Sequence, residues 1–525
     1  MASNHVPAHY PVHASRMALI PTKSLTRYLE DAAKRTPEKT AIVFEGSTLT
    51  YAELLTRVES LAAHLHNALQ VKHGDRVILL SQNCPEYIVA FYAIMRAGAV
   101  VVPINPMCKA DEVAFYFADT DARAAIVARE LLPSAQASHA VDVVVLEETT
   151  ALPQVPSSEA LPHHPDVHDL CVLPYTSGTT AHPKGCMHTH ASILASLLAS
   201  QEWRKLDANT VCFCVAPMFH MLGLQNGMNM PLTLGSTLVM MRRWDAGTAA
   251  GLIEAHRVTT WTAPPAMLID FFAHPEAKTR DLSSLSLLTG GGAAMPEAIA
   301  NMLKERFNLS YNEGYGLTET ASFLHSNPVD RGKRQCLGLS TQGVDSRIVD
   351  PEAGQELPQG EMGELVTRGA QVMQGYWRND AANQAAFIEI DGQRFFRTGD
   401  LASVDEEGYF FMRDRLKRMV NVSGYKVWPS EVEAMLYQHP AIHEACVIGV
   451  PDSKSGERVV ALVVLKANTD VASEQSLIEW TRNKMAVYKA PKEVRLMASL
   501  PKSNTGKILW RELQEQEKAK HESNV

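Results

Sequence analysis

The chain has 525 residues, of which 46% are hydrophobic and 20% charged, a composition typical of a globular protein with several domain-sized units. The formal net charge is −9 and no basic stripe is visible, which disfavours a nucleic-acid-binding protein. The eight cysteines are scattered, mostly through apolar segments, a pattern typical of reduced thiols rather than of a disulfide framework.

Neither end of the chain shows a targeting signal. Residues 1–24 lack the apolar stretch of a signal peptide, and residues 521–525 match no peroxisomal or endoplasmic-reticulum signal. The most apolar stretch, residues 87–104, contains Arg96 and Pro103, so a buried helix followed by a strand is favoured over a membrane span. We therefore predict a cytoplasmic protein without a transmembrane segment.

Helices and buried strands alternate over the first 150 residues. Apolar residues at helical spacing predict helices within residues 25–70, and an apolar run predicts another helix over 85–97. Short β-branched runs predict four strands, at residues 77–80, 99–104, 124–127 and 143–146. This alternation is typical of layered α/β structure. Residues 147–168, rich in proline, serine and histidine, are predicted to form a linker or surface loop.

Several predicted strands between residues 170 and 320 end in polar or glycine-rich loops. These loops are residues 175–185, 217–220, 289–294 and 313–320. In open α/β sheets, ligands bind at the carboxyl ends of strands, so the loops are candidates for a binding site. No Gly-x-Gly-x-x-Gly fingerprint is present, so a dinucleotide-binding fold has no support.

The pattern changes after about residue 338. Alternating runs at residues 363–367 and 408–412 predict β-structure with tight turns. The last hundred residues contain two predicted strands, 445–450 and 459–465, and two predicted helices, 430–437 and 475–485. A β-rich region followed by a small α+β domain is therefore expected.

The loop at residues 175–185 has the composition of a phosphate-binding segment. It contains several hydroxyl groups, two glycines and Lys184, and exposed N–H groups with a cation suit phosphate oxygens. It is not the common P-loop, because Pro183 precedes the lysine and Gly185 follows it. In isolation, a polar surface loop would explain the same composition.

Five motifs in order along the chain resemble those of the adenylate-forming superfamily, which includes acyl-CoA synthetases, luciferases and the adenylation domains of peptide synthetases. They are residues 175–185, 315–319, 398–400, 414–417 with 423–425, and 501–507. Each motif is weak alone, but five in this order and spacing make coincidence implausible. The resemblance covers roughly residues 25–515.

The resemblance implies a mixed α/β and α+β fold. A large N-terminal adenylation domain, residues 1–416, would combine layered α/β subdomains with a β-rich subdomain. A small, mobile α+β C-terminal domain, residues 417–525, would carry a catalytic lysine. The implied activity is that of an ATP-dependent acid–CoA ligase. A carboxylate first joins AMP with release of pyrophosphate, and the acyl group then passes to coenzyme A.

Residue roles follow from the resemblance alone. Catalysis is assigned to Lys507, Glu319, Thr180 and Lys184, and Glu319 would also bind Mg²⁺, a hard cation that prefers carboxylate and phosphate oxygens. Residues expected to contact the phosphates are Thr176, Ser177, Gly178, Thr179, Thr180 and Lys184. Residues expected to contact the rest of ATP are Gly291, Gly292, Ala293, Tyr315, Gly316, Thr318, Asp400 and Arg415, the last two at the ribose. The Gly424 loop would face coenzyme A, and Lys417 would be the hinge.

His220 is expected to gate or line the acyl pocket, with a wall formed by Gly290, Gly291, Gly223 and Trp261. The sequence around His220 is apolar, which favours an aliphatic acid, fatty or of medium chain length, and a homodimer is possible. Two residues depart from the family pattern. Ala181 replaces a usual glycine, and Arg418 replaces the small or acidic residue that often follows the hinge.

Other functions stay open on this reasoning. A related enzyme could load a carrier protein or oxidise its adenylate as luciferase does, and a catalytically silent nucleotide-binding protein could share the fold. Cys186, His188 and His190 lie close to His182, but no matching second ligand pair appears at zinc-site spacing. No Gly-x-Ser-x-Gly elbow supports a serine hydrolase.

Overall fold

The computed structural model describes most of the chain, namely residues 10–136, 141–152, 161, 164–176, 183–292, 295–452, 454–466, 472–502 and 508–522. The chain divides into two compact units. The large unit comprises Met1–Ser346, Thr367–Phe396 and Glu407–Tyr409, and the small unit comprises Arg347–Val366, Arg397–Glu406 and Phe410–Val525. The functional boundary expected between residues 416 and 417 stays a prediction.

The α-helices of the described residues alternate with strands through most of the large unit. They are α1 (Leu25–Arg35), α2 (Tyr51–Ala63), α3 (Pro85–Arg96), α4 (Ala110–Thr120), α5 (Leu132–Gln136), α6 (His190–Arg204), α7 (Met230–Leu234), α8 (Ala246–Ala255), α9 (Pro265–Ala273), α10 (Pro275–Thr279), α11 (Glu297–Phe307), α12 (Asp380–Ala386), α13 (Pro429–Leu436), α14 (Glu474–Arg482) and α15 (Trp510–Glu522).

The strands of the described residues are mostly short. They are β1 (Thr40–Phe44), β2 (Ser47–Thr50), β3 (Arg76–Leu80), β4 (Val100–Ile104), β5 (Ala124–Val127), β6 (Asp142–Val145), β7 (Leu170–Val172), β8 (Tyr175–Thr176), β9 (Lys184–Gly185), β10 (His188–Thr189), β11 (Val211–Cys214), β12 (Thr237–Met240), β13 (Thr260–Thr262), β14 (Leu287–Gly290), β15 (Tyr311–Tyr315), β16 (His325–Ser326), β17 (Leu339–Ser340), β18 (Asp345–Val349), β19 (Gly363–Arg368), β20 (Phe387–Ile390), β21 (Gln393–Val404), β22 (Phe410–Arg415), β23 (Val420–Val422), β24 (Tyr425–Val427), β25 (Ile442–Asp452), β26 (Gly456–Leu465) and β27 (Glu493–Leu496).

Two sheets organise the large unit. The first has nine strands in the order β17-β16-β15-β14-β13-β11-β12-β1-β2, and its inner strands from β15 to β1 run parallel. The second has six strands in the order β10-β7-β4-β3-β5-β6, with only β10 antiparallel. Apolar side chains of β3 and β5 are buried at every position from Val77 to Leu80 and from Ala124 to Val127, as expected for parallel strands covered on both faces.

Helix termini follow the local sequence. Thr50 caps α2 and forms a reciprocal capping box with Glu53, while Thr189 caps α6 in the same way with Ser192. A π-helical segment, Leu222–Asn229, leads directly into α7. Segments of this kind are rare and occur frequently at functional sites.

The small unit contains its own sheet, with strands in the order β24-β23-β26-β25 and β27 beside β26. The long hairpin β25–β26 is its centre, and its buried residues form a separate apolar cluster with α13 and α14 around Val432, Val447 and Leu477. The unit also contains the pairing of β22 with the second half of β21. The small α+β domain predicted from the sequence is confirmed.

The sequence-based elements agree with the structure at most positions, with corrections at two strand ends. Strand β14 extends over Leu287–Gly290, so Thr289 and Gly290, expected in a loop, lie in the strand. The loop expected at residues 313–320 begins later, because strand β15 covers Tyr311–Tyr315 and Glu313 and Gly314 lie in that strand. The reason is tertiary pairing, because Gly314 and Tyr315 pair with Ser326 and His325 of the antiparallel strand β16.

No helix within the described ranges combines the length and the hydrophobicity that a bilayer crossing requires. All eight cysteines are free thiols, and seven of them are buried.

Candidate active site

Lys184 lies on a short hairpin of the large unit. Strand β8 pairs antiparallel with β9, so that Thr176 is opposite Lys184 and Tyr175 is opposite Gly185. Gly185 is closely packed, since a Cβ there would lie 3.0 Å from both the Tyr175 ring and the Leu173 side chain. Ser177, Gly178, Thr179 and Thr180, predicted to contact phosphate, lie outside the described residues.

Glu319 sits in a single 3₁₀ turn, Thr318–Thr320, directly after the predicted adenine-binding residues. The turn is tied to α6 and its N-terminus. The ring of His188 hydrogen-bonds through Nε2 to the Thr318 carbonyl at 2.7 Å, and Ser196 donates to the Ala321 carbonyl at 2.5 Å. The backbone around Glu319 is thus fixed by buried side chains 125 and 130 residues earlier in the chain than the carbonyls they contact.

His188 is neutral in this arrangement. Burial lowers the pKa of His188 to about 4, because an imidazolium loses its hydration in the core. A neutral ring that donates from Nε2 has Nδ1 as an acceptor, and the Ser192 hydroxyl lies 3.0 Å from Nδ1. His188 therefore acts as a fixed donor to the Thr318 carbonyl, and it brings no positive charge to the site.

Tyr376 connects the predicted phosphate-binding and metal-binding residues. Its hydroxyl donates to Oε1 of Glu319 at 2.9 Å, and the ammonium of Lys184 lies 4.3 Å from the centroid of its ring. The side chain is 6% exposed. Burial, the dominant effect, raises the pKa of the Tyr376 phenol, and the nearby Glu319 carboxylate raises it further, so the hydroxyl stays protonated and able to donate.

Sequence reasoning did not identify Tyr376. It lies between the second and third motifs, in a Gly-Tyr-Trp segment, and its contacts are with residues 57 and 192 positions earlier in the chain. A buried aromatic residue gives no chemical signal on its own. The adjacent glycine and the paired aromatic residues were the only local features that could have marked the segment.

Glycines near Tyr315 are explained by close backbone packing. A Cβ on Gly316 would lie 1.6 Å from the Ser322 carbonyl oxygen, and a Cβ on Gly291 would lie 2.4 Å from the Gly314 carbonyl oxygen. Gly292 has φ +85°, which favours glycine. Strand β15 ends at Tyr315, and its parallel neighbour β14 ends at Gly290, so these glycines and Tyr315 lie at the carboxyl ends of two adjacent strands. Ala293 lies outside the described residues.

The strand order of the nine-stranded sheet reverses beside β11, because β12 lies on one side of it and β13 on the other. Such a switch point opens a crevice at the carboxyl ends of the strands. His220 follows β11 at this point, is exposed, and its Nδ1 accepts from the Leu222 backbone N–H at 3.3 Å, at the start of the π-helical segment. The fold thus places His220 where open α/β sheets bind ligands.

The other residues predicted to line an acyl pocket are buried or packed closely. Gly290 and Gly223 leave no room for a side chain, since a Cβ would lie 2.0 Å from the Ala263 carbonyl oxygen or 2.2 Å from that of Pro217. Trp261 is 1% exposed and packs edge-on against Phe213. Their assignment to the pocket wall stays a prediction.

In the small unit, Asp400 and Arg415 are directly opposite each other on β21 and β22. Nε of Arg415 lies 3.1 Å from Oδ1 of Asp400, whose side chain is 2% exposed, whereas the arginine side chain is 51% exposed. The backbone N–H of Asp400 donates to Thr398 Oγ1, and the Thr398 hydroxyl donates to the Leu365 carbonyl at 2.6 Å. The carboxylate is thus held in a defined position by its own strand pair.

Lys417 and Gly424 lie on two turns of the small unit. Lys417 is exposed in the 3₁₀ turn Leu416–Arg418, and the Arg418 guanidinium forms an ion pair with Glu433. The same guanidinium donates to the Val447 carbonyl at 3.1 Å. Arg418, the departure from the family pattern, therefore has a buried structural partner.

Gly424 belongs to the tight hairpin that joins β23 to β24. It has φ +87°, and Ser423 before it has φ +53°, as a two-residue turn between right-twisted strands requires. A Cβ on Gly424 would meet no atom within 4 Å. The glycine is thus explained by backbone conformation, and its expected role toward coenzyme A stays a prediction.

Lys507 lies outside the described residues, but the residues on either side of it are positioned. Lys502 and Ile508 form an antiparallel bridge, and the Leu509 N–H donates to the Pro501 carbonyl at 2.9 Å. Leu500 is buried against Cys446 and Leu462. The base of the predicted catalytic segment is therefore anchored on the β25–β26 hairpin.

Glu319 is suited to Mg²⁺. Its carboxylate is partly buried and takes a hydrogen bond from an uncharged phenol, and one carboxylate together with substrate phosphates is a usual ligand set for this ion. In the part of the chain that the structure describes, no group of three or more histidine, cysteine, aspartate or glutamate side chains is arranged to hold a metal without such a substrate.

These features define an adenylate-forming type of enzyme, and comparison with known proteins gives its family. Residues 29–377 match the AMP-binding enzyme family, and residues 431–507 match the AMP-binding enzyme C-terminal domain. The chain therefore belongs to the AMP-binding enzyme family of the adenylate-forming superfamily, and it is an acyl-CoA synthetase-type enzyme.

Relatives and solved structures agree over nearly the whole length. The chain is 34% identical to a long-chain-fatty-acid–CoA ligase of Bacillus subtilis, over 98% of each chain. It is 36% identical to a feruloyl-CoA synthase of an Amycolatopsis species, over 91% of this chain and 96% of that one. ATP-bound MatB from Rhodopseudomonas palustris superimposes with a TM-score of 0.86 at 27% identity, covering 95% of this chain and 99% of the other.

Proposed function

We propose that the protein is an ATP-dependent acid–CoA ligase that uses Mg²⁺. A carboxylate oxygen of the acid attacks the α-phosphorus of ATP, the bond from that phosphorus to the oxygen shared with the β-phosphate breaks, and pyrophosphate leaves. The thiol of coenzyme A then attacks the acyl carbon of the adenylate, and AMP leaves as the acyl-CoA forms. The residue roles predicted from the sequence are part of this proposal.

The observation that carries the proposal is the grouping of Lys184, Glu319 and Tyr376 at one place in the large unit. Two anions repel each other in the first step, so a cation and a metal-binding carboxylate beside the phosphates would lower the barrier. Mg²⁺, when bound, would neutralise phosphate charge. Lys184 would bind phosphate oxygens, and Glu319 would orient the metal.

Asp400 and Arg415 support the assignment of the ribose contact. A buried carboxylate that accepts from an exposed guanidinium keeps further acceptor capacity for two hydroxyl groups. Lys507 would reach the reacting carboxylate in the first step, and Lys417 would be the hinge for the second. The Gly424 hairpin would approach coenzyme A. Two relatives are a CoA ligase and a CoA synthase, which supports coenzyme A as the thiol acceptor.

An aliphatic acid, fatty or of medium chain length, is the favoured substrate. The first support is the long-chain-fatty-acid–CoA ligase at 34% identity. Apolar residues after His220 give weaker support than expected, because Met221 and Leu224 are buried in the core and their character is explained by packing. Leu222 and Met267 are partly exposed and are the better candidates for contact with an acyl chain.

An aromatic acid is the second candidate. The specific observation in its favour is the 36% identity to a feruloyl-CoA synthase over 91% of the chain. The two candidates predict different substrate profiles for the same site, so one panel of acids separates them. A possible homodimer and a cytoplasmic location also stay proposals, the latter supported by the free cysteines.

The test is AMP formation from ATP and Mg²⁺ with a panel of acids, with and without coenzyme A. The panel holds saturated acids of increasing chain length beside ferulic, coumaric and benzoic acids. We expect AMP release that requires both an acid and coenzyme A, with the highest kcat/KM for an aliphatic acid. Lys507→Ala is expected to abolish adenylation, and Lys502→Ala, in the same segment, is the matched control.

The outcomes separate the alternatives. A higher kcat/KM for ferulic acid would transfer the proposal to aromatic acids. AMP release that needs a carrier protein instead of coenzyme A would identify a loading enzyme, and light or oxygen consumption would identify an oxidative relative. Tight ATP binding without turnover on any acid would contradict the ligase function.

A further inference from the structure

We propose that Tyr376 is a positioning residue that orients the side chains of Lys184 and Glu319 for Mg²⁺-bound ATP. Its ring acts on Lys184, and its hydroxyl acts on Glu319. The inference rests on the proposed function, since it concerns the same site. It assigns a role to a residue outside the sequence motifs that located the site.

The ring contact concerns Lys184. Its ammonium lies 4.3 Å from the centroid of the Tyr376 ring, within the range of a cation–π interaction. Lys184 is on a two-residue strand, so its backbone is fixed by the pairing with Thr176 while its long side chain can still rotate. The ring face limits that rotation without neutralising the ammonium, which keeps its charge for a phosphate.

The hydroxyl contact concerns Glu319. The phenol donates to Oε1 at 2.9 Å and is uncharged, so it orients the carboxylate without compensating its negative charge. An arginine or lysine at this place would pair with the carboxylate and compete with a metal ion. A tyrosine fixes the geometry and leaves the charge for a divalent cation.

Tyr376 is itself held by its backbone on both sides. Its N–H donates to Oδ1 of Asn383 on α12, and Nδ2 of the same asparagine donates back to the Tyr376 carbonyl at 3.0 Å. Gly375 before it has φ +156°, and a Cβ there would lie 2.7 Å from the same asparagine oxygen. The two hydrogen bonds to Asn383 therefore fix the backbone from which the Tyr376 ring extends.

The segment of residues 373–377, which contains Tyr376, pairs with the chain around the strand that carries Lys184. The Trp377 N–H donates to the Gly185 carbonyl at 2.8 Å, Cys186 forms a bridge with Tyr376, and the Met187 N–H donates to the Gly375 carbonyl. At its other end, the Met373 N–H donates to the Glu319 carbonyl at 2.8 Å. One backbone segment therefore contacts Glu319 and the residues directly after Lys184, and the Tyr376 side chain contacts both Lys184 and Glu319.

The geometry separates two contributions that two substitutions can remove in turn. Tyr376→Phe keeps the ring face for Lys184 and removes only the hydrogen bond to Glu319. Tyr376→Leu removes both. Tyr409→Phe is the matched control, because Tyr409 is a buried tyrosine of the same unit whose hydroxyl donates to the Arg331 carbonyl at 2.7 Å.

The experiment measures the dissociation constant of ATP by calorimetry, with and without Mg²⁺, on the wild type and the three variants. A hydrogen bond to a charged group is typically worth a factor of ten or more. Tyr376→Phe is therefore expected to reduce the tightening of ATP binding by Mg²⁺ about tenfold, with binding in the absence of Mg²⁺ within about twofold of the wild type. Tyr376→Leu should in addition weaken metal-free binding by about threefold or more.

The result that overturns the inference is an unchanged Mg²⁺-linked tightening in Tyr376→Phe, or an equal loss in Tyr409→Phe. Circular dichroism and the thermal midpoint check that each variant folds, and Tyr376→Phe decides the question even where Tyr376→Leu does not fold. Wild-type protein that binds ATP more tightly with Mg²⁺ but turns over no acid would defeat the proposed function and leave the inference standing. Wild-type protein that binds no ATP would defeat both.

Discussion

The predicted phosphate- and metal-binding residues of the large unit differ from the predicted ribose-binding pair of the small unit in the kind of partner that orients them. Lys184 and Glu319 share an uncharged partner, Tyr376. Asp400 is instead paired with a charged one, Arg415, from the neighbouring strand. An uncharged partner orients a charged side chain without neutralising it, which suits contacts to phosphate and a metal, whereas a site for hydroxyl groups needs only oriented acceptors.

This difference has an energetic basis. A charge that is paired within the protein interacts less with a ligand, and an unpaired buried charge is costly. An uncharged aromatic donor is a compromise, since it orients a carboxylate and supports an ammonium while leaving both charges in place. The two regions should therefore respond differently when single groups are neutralised.

The largest effect is expected for Glu319→Gln. The amide keeps the shape and an acceptor for Tyr376 but removes the negative charge expected to hold Mg²⁺, so acid-dependent ATP–pyrophosphate exchange should fall by about 10²–10³-fold. Glu305→Gln, an exposed position of the same unit, is the control and should retain wild-type exchange. Exchange within about threefold of the wild type in Glu319→Gln would remove Glu319 from the reaction.

The next effect concerns stability in the small unit. Glu433→Gln removes the nearer of two carboxylates that pair with Arg418, the other being Asp414 at 4.0 Å, and the Arg418 and Glu433 side chains are only 14% and 15% exposed, so the free energy of unfolding should fall by about 2 kcal/mol. Denaturant unfolding followed by fluorescence measures it. Glu352→Gln breaks the exposed pair with Lys426 and should cost less than about 1 kcal/mol. Equal losses in the two variants would contradict the burial argument.

A smaller effect is expected for Asp400→Asn. The amide keeps one acceptor but loses the second, so the KM for ATP should rise about tenfold with a smaller change in kcat. The fold should be retained, since the partner Arg415 is half-exposed and can be hydrated. Steady-state kinetics with varied ATP provide the test, and an unchanged KM would show that Asp400 has a structural role only.

The last effect is a pH dependence of stability that comes from His188, whose ring is hydrogen-bonded to the turn that carries Glu319. Its pKa is about 4 in the folded protein and 6.5 ordinarily, because burial disfavours the charged ring. Between these values the unfolded chain binds the proton and the folded protein does not. The free energy of unfolding therefore falls as the pH drops from 6.5 to 4, by about 1.4 kcal/mol per pH unit for this group.

His188→Gln removes this contribution, so its stability should fall less steeply with pH over the same range. The slope is measured by denaturant unfolding at a series of pH values. His190 and His325 have lowered pKa values of the same origin and remain in the variant, so a reduced slope is expected rather than a flat one. Identical slopes in variant and wild type would show that His188 is solvated in the folded state.

Sequence reasoning located the elements and the candidate charged residues because their signals are local. Strand β3 and helix α3 follow from the apolar runs predicted at residues 77–80 and 85–97. Lys184, Glu319 and Asp400 belong to motifs of a few neighbouring residues. The pair Asp400 and Arg415 was also expected to lie together, and the antiparallel register of β21 and β22 places them opposite each other.

What the sequence could not provide depends on pairing between distant segments. Tyr376 contacts Lys184 because residues 374–377 pair with residues 185–187, and no local pattern encodes that register. Glu433 lies on the following helix, and no local pattern in the sequence predicted its ion pair with Arg418. Strand β15 was placed too early for the same reason, since its end is set by pairing with β16.

The most direct test of the central claim is to trap the adenylate. The protein is incubated with ATP, Mg²⁺ and an aliphatic acid without coenzyme A, and the products are identified by mass spectrometry before and after coenzyme A is added. We predict an acyl-AMP in amounts comparable to the protein, which disappears as acyl-CoA and AMP form. Absence of acyl-AMP with every acid, or an adenylate that coenzyme A does not consume, would contradict the account.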